Sequence, residues 1–170
     1  MNIAALKPSG KYYFRPDTTL NREASDYWLP DGVEEVVLVP CIYSKVIKSG
    51  KCIGERFAHR HIDNFGFGVF LDAAGADPQE ATCMDATSYI SGDTIPFIAI
   101  GNSSFEVSVN GEPWYRGDAF DEGMLCDALV TISRKSSVRA TDIVALCLPA
   151  SVTLHKGDYF SFSGKKVNIL

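Results

Sequence analysis

Three histidines, five cysteines and a few carboxylates at strand ends are the side chains of this chain with chemistry to offer. His59-Arg60-His61, followed by Asp63, invites a metal reading. On a strand, residues two apart share a face and can chelate together; on a helix they point nearly opposite ways. Phe57, Ala58, His61, Ile62 and Phe65 recur at helical spacing. The segment is therefore expected to be a helix with a solvated His59 and a half-buried His61, not a zinc pair. The cysteines (Cys41, Cys52, Cys83, Cys126 and Cys147) are odd in number and scattered, with no C-x-x-C pair to support a zinc knuckle or a thioredoxin-type site. Cys41 and Cys147 stand in the apolar runs LVPCIY and IVALCLP, where a reduced thiol behaves as a small hydrophobe. No H-E-x-x-H, Walker or G-x-G-x-x-G pattern occurs in a suitable setting, and there is no G-x-S-x-G elbow.

The carboxylates are more informative. Glu34 and Glu35 open a strongly hydrophobic strand, and Asp72 closes another. An acidic residue in such a place is ordinarily an exposed strand tip. It becomes a metal ligand when the two strands are neighbours and the carboxylates converge, because hard cations such as Mg²⁺ need clustered oxygens.

The elements that must position these groups are mainly strands. KYYFRP, VEEVVLVPCIY, NFGFGVFLDA, IPFIAIG, FEVSVNGEPWYRG, TDIVALCLP, YFSF and KKVNIL all read as β. Pro40 suggests an edge or a bulge in the second of these, and the glycines of the third a close backbone approach or a bend. Asn110-Gly111 supplies the positive φ angles of a two-residue hairpin turn, with Trp114 on the return strand. Two helices are predicted: CIGERFAHRHIDNF, and DEGMLCDALVTISRK with Asp121 as its cap. The fold class expected is mainly β with two helices (α+β), a curved β-sandwich or roll. A length of 170 residues without a linker or repeat points to one domain, residues 1–170. The net charge of −5 argues against nucleic acid as a partner. The opening MNIAALKPSGKYYF lacks a signal-peptide core, and no run has the ~18 apolar residues of a membrane span. The expected location is cytoplasmic.

Several pieces, taken in order, resemble the fumarylacetoacetate hydrolase family. Phe14-Arg15-Pro16-Asp17-Thr18-Thr19-Leu20 is similar to its F-x-K-P-x-x-x-L segment, and Leu29-Pro30 to the "LP" that follows. VEEVVLV resembles its E-x-E-L-A strand, which aligns Glu35 with the first metal ligand. Gly66 to Asp72 resembles its G-Y-T-x-x-N-D strand, which ends in a metal aspartate. Val109-Asn110-Gly111-Glu112 matches its V-N-G-E turn. ALVTISRKSSVRATDIVALCLP resembles its L-x-x-x-S-x-x-x-T-L-x-P-G-D-x-I-x-T-G-T-P unit, and LHKGDYFSF its L-x-x-G-D-x-V-x-V ending. The resemblance runs from Tyr13 to Leu170. It implies the C-terminal-type mixed β-sandwich roll of that family and a metal site for Mg²⁺ or Mn²⁺ formed by Glu35 and Asp72. It also implies a small acidic substrate, such as a 2-oxo acid or acylpyruvate, and a homodimer.

The departures all remove polar groups. Val37 stands where the family has its second strand glutamate, and Glu34, adjacent to Glu35, faces the other side unless a bulge intervenes. The family's N-D-x-S-A-R-D run becomes Leu71 to Asp77 and loses the arginine, and Leu148 stands for the G-T-P threonine. No lysine falls between Tyr89 and Asp93, and the H-x-x-E segment that activates water is absent. A metal-dependent hydrolase or lyase with impaired activity is therefore one reading. The other is a non-catalytic small-molecule-binding or structural member of the same fold, a pseudoenzyme.

Overall fold

A computed structural model of the chain describes residues 1–90 and 93–170. β1 (Asn2–Leu6) and β2 (Tyr12–Pro16) form a first hairpin, and the long strands β3 (Glu35–Val46) and β4 (Ile62–Ala73) follow. A one-turn helix α1 (Pro78–Ala81) leads to β5 (Ser88–Ile90). β6 (Phe105–Val109) and β7 (Glu112–Gly117) make a second hairpin, and α2 (Glu122–Ser133) leads on to β8 (Ile143–Cys147). β9 (Val152–His155), β10 (Tyr159–Phe162) and β11 (Lys165–Asn168) complete the chain. One sheet has the order β2-β1-β8-β3-β4-β5, with β9 also paired to β3; the other has the order β11-β10-β6-β7. β1 and β8 run parallel and the other pairs antiparallel, so the expected mixed α+β roll is the observed architecture.

Alternation along the strands decides what each face of the large sheet buries. Val36, Leu38 and Ile42 of β3, Val69 and Leu71 of β4, and Val144 of β8 point into the main core, shared with α2 and the smaller sheet. The next residues along, Cys41 and Tyr43, Phe70, Ala145 and Cys147, point the other way into a smaller cluster with Ile3 and Ala5. Two glycines of β4 on this side let the neighbouring chain pack close. A Cβ on Gly66 would fall 2.4 Å from Cζ of Tyr43, and one on Gly68 would fall 2.7 Å from the Tyr89 carbonyl oxygen.

The 110–111 turn is a two-residue hairpin loop, with φ of 51° and 88°, and Trp114 lies on its return strand. Asp121 caps α2 by accepting from the Met124 backbone N–H at 3.1 Å. Three local expectations are corrected. The predicted helix over residues 52–65 shrinks to a 3-10 helix, Glu55–Arg60, because β3 claims Ile62 and Asp63 as strand partners and Phe57 is left half exposed. IPFIAIG is a 3-10 helix, Phe97–Asn102, instead of a strand; Ile100 is buried in the main core with Ile95 and Phe97 packed against it, while Ile98 projects to solvent. Pro40 makes neither an edge nor a bulge. It sits where the partner of β3 changes from β9 to β8, so its missing N–H interrupts no ladder, while its carbonyl accepts from the Leu148 N–H at 2.8 Å. The register shift falls later, between Tyr43 and Lys45.

Candidate functional site

The register places the sequence-selected carboxylates on one face. Asp72 is directly opposite Val37, and Glu35 is two residues before Val37, so all three project from the same face of the large sheet, the side of the smaller cluster. A cleft of about 530 Å³ opens there; Lys7, Tyr13, Val37, Asp72 and Cys147 contribute to its lining. Its size is that of a small-molecule site. A second groove, of about 720 Å³, runs along β6, β7 and β10, but Glu106 and Arg116, its acidic and basic side chains, pair with each other at 3.4 Å. The chemistry therefore concentrates in the first.

Asp72 is held from behind by Arg15 of β2, a residue whose side chain is fully buried. The guanidinium donates from Nη1 to Asp72 Oδ1 at 2.5 Å, from Nε to Ser88 Oγ at 2.8 Å, and from Nη2 to the Leu71 carbonyl at 2.9 Å and Thr87 Oγ1 at 2.8 Å. Its plane lies over the Phe70 ring, 4.6 Å from the centroid. A buried cation this fully bonded fixes the position of its partner carboxylate and neutralises it.

Glu35, at the start of β3, accepts from Nε2 of His155 at 2.9 Å; the histidine is exposed and the glutamate side chain about half exposed. His155 lies opposite Glu35 on β9. The other two histidines are elsewhere: His59 is exposed, as expected, and His61 is buried, with Nδ1 donating to the Lys48 carbonyl at 2.8 Å. Glu34 precedes β3.

As a seat for a hard divalent cation this donor set is a poor fit. The side chain between the two carboxylates is a valine, one carboxylate is neutralised by Arg15, and the other bonds His155 at the surface. Among the described residues no group of three His, Cys, Asp or Glu side chains is arranged to hold a metal ion. The position without a lysine, between Tyr89 and Asp93, includes Ser91 and Gly92, which lie outside the described residues.

Cys147 faces Cys41 across the β3–β8 pair, and both are buried core thiols, as their runs imply. Burial pushes both thiols above their ordinary range, so neither is poised as a nucleophile. Tyr13, whose hydroxyl lies 3.6 Å from Cys147 Sγ, is also pushed up, chiefly by burial, and stays a neutral hydroxyl. Sequence reasoning singled out Glu35 and Asp72 and passed over Arg15, Tyr13 and Lys7; the cleft lining includes Asp72, Tyr13 and Lys7 but not Glu35. The available signal was Arg15 itself, a lone charge inside the aromatic strand YYFRP.

No family model matches the chain, and no curated protein matches it in sequence. Solved structures do match its fold. A protein of Yersinia pestis CO92 assigned to the fumarylacetoacetate hydrolase family superposes with a TM-score of 0.80 at 19% identity, over 99% of this chain and 92% of that one. The fumarylpyruvate hydrolase of Pseudomonas aeruginosa, solved with Mn²⁺ and pyruvate, gives 0.78 at 12% identity over 100% and 89%. The maleylpyruvate hydrolase of Sphingobium sp. SYK-6, solved with manganese(II) and pyruvate, gives 0.80 at 13% over 99% and 70%. At these identities the likeness is one of fold: the chain has the fold of fumarylacetoacetate hydrolase family proteins.

Proposed function

We propose that this chain is a divergent form of that fold whose cleft receives a small acid of the 2-oxo acid or acylpyruvate class, and whose metal-dependent hydrolase or lyase activity is close to background. The observation that carries this reading is the Val37–Asp72 pair. Where the two strands meet at the cleft, one position is apolar and the other is a carboxylate already neutralised by Arg15. Mg²⁺ or Mn²⁺ would have Glu35 and Asp72 as ligands, and two carboxylates already engaged by Arg15 and His155 hold a hard ion weakly. A general base contributes typically ~10²–10⁴-fold to such a reaction, yet no histidine contributes to the cleft lining among the described residues. The same observation favours, as a second reading, a non-catalytic binding or structural role in this fold.

Calorimetry with Mn²⁺ and a spectrophotometric acylpyruvate assay test the proposal. The expected result is weak Mn²⁺ binding by the unmodified protein, tighter binding by Val37→Glu, and turnover near background in both. Robust acylpyruvate turnover by the unmodified protein would overturn it. A cytoplasmic homodimer belongs to the same proposal, and light scattering in solution reports the oligomeric state.

A further inference from the structure

We propose that the cleft binds a small monocarboxylate directly, without a metal ion, with the Lys7 ammonium as the group that takes the carboxylate. This rests on the reading that the cleft receives a small acid.

Lys7 opens the short turn between β1 and β2, which is closed by the Lys7 N–H to the Lys11 carbonyl at 2.8 Å and the Gly10 N–H to the Lys7 carbonyl at 2.9 Å. The backbone that carries the side chain is therefore fixed. Nζ sits over the Tyr13 ring, 4.9 Å from its centroid, at the wall of the cleft. Among the described residues no carboxylate pairs with it, whereas the other charged lining residue, Asp72, is matched by Arg15.

At the cleft wall, Lys7 and Arg15 contribute two positive charges and Asp72 one negative, a surplus of one positive; Glu35, on the same face, is outside the lining and bonds His155. Tyr13, kept neutral by burial, adds no opposing charge. Val37, Val39 and Leu148 make the adjoining walls apolar, and such walls keep the field of a charge focused on the cavity. A single carboxylate with a short apolar or carbonyl-bearing body balances that charge and suits those walls; a dianion would leave one charge uncompensated.

Calorimetric titration of the full chain with pyruvate and with acetylpyruvate, in EDTA and separately in Mn²⁺, tests the inference. Both acids should bind equally well in the two buffers. Lys7→Gln should weaken binding by about tenfold or more, the value of one charge-assisted contact, while Lys7→Arg should retain it and methyl pyruvate should bind poorly. A matching thermal midpoint for Lys7→Gln shows that its fold is intact. Binding seen only with Mn²⁺, or unchanged in Lys7→Gln, overturns the role of Lys7 and leaves the acid-binding reading standing. Absence of binding in both buffers overturns the two together.

Discussion

Two acid–base pairs stand on the same face of the β3–β4 ladder and differ in almost everything that determines their worth. Arg15–Asp72 is buried on the arginine side, and the guanidinium has carbonyl, hydroxyl and aromatic partners besides the carboxylate. Glu35–His155 lies at the strand ends, with the histidine side chain largely in water and the glutamate about half exposed. Their N–O separations, 2.5 Å and 2.9 Å, are similar. Distance alone therefore does not separate structure from decoration; desolvation does. A buried charge that loses its partner cannot turn to water, whereas an exposed one simply rehydrates.

The largest effect expected from breaking this contrast is at Arg15. Arg15→Met removes the cation but keeps much of its length, leaving Asp72, the Leu71 carbonyl and the Thr87 and Ser88 hydroxyls short of a donor. Removing one partner of a buried pair costs about 3–5 kcal/mol, to be read as a fall in the urea midpoint. A loss below about 1 kcal/mol, the scale of surface pairs, would show that the two pairs are alike after all.

The second effect lies at the corner next to the exposed pair, where Asn110 holds two turns together. Its φ of 51° is left-handed, its Nδ2 donates to Asp158 Oδ1 at 2.9 Å, and its Oδ1 accepts from the Tyr159 N–H at 3.0 Å. Asn110→Ala should cost about 2 kcal/mol, from the strained φ and two lost hydrogen bonds. Asn110→Gly relieves the first term and should cost roughly half as much. Equal losses in the two variants, measured by denaturant unfolding, would assign the whole effect to the hydrogen bonds.

The same contrast explains what could be read in advance. The Asn110-Gly111 hairpin, the Asp121 cap and the alternating strands depend on neighbours in sequence, and each was legible. The misread segments were decided from a distance: Ile62 and Asp63 extend β4 because Val46 and Lys45 of β3 pair with them. Asp72 was legible as an acid closing a strand, and its face followed from the register of two recognisable strands. Arg15 was not, because what makes it significant is a carboxylate on another strand and a pair of hydroxyls beyond that. Lys7 carries no local signal at all; only the pairing of β1 with β8, and of β8 with β3, brings its turn to the cleft.

The smallest effect is expected at His155, and its pH dependence sharpens the comparison further. The backbone N–H of His155 donates to Asp158 Oδ2 at 2.7 Å, and this bond is the main cause holding the Asp158 carboxyl below its usual 3.8, followed by the bond from Asn110. A carboxylate held low in the folded state contributes stability above its unfolded pKa, and that contribution is lost as pH falls through the lower folded value. His155→Ala removes the imidazole, with its contacts to Glu35 and, at 3.6 Å, to Asp158 Oδ2, but keeps the backbone donor, which is the larger cause at Asp158. The loss at neutral pH should thus be at most about 1 kcal/mol, as for other exposed pairs, and the acid side of the stability profile should keep most of its shape, because the backbone and Asn110 bonds to Asp158 remain. Asp158→Asn should do the reverse, flattening the change below about pH 4 that this carboxylate contributes. Denaturation midpoints followed from pH 7 down to about pH 3 separate the two. If His155→Ala alone flattens the acid limb, the imidazole rather than the backbone is what stabilises this edge, and the exposed pair counts for more than its solvent exposure implies.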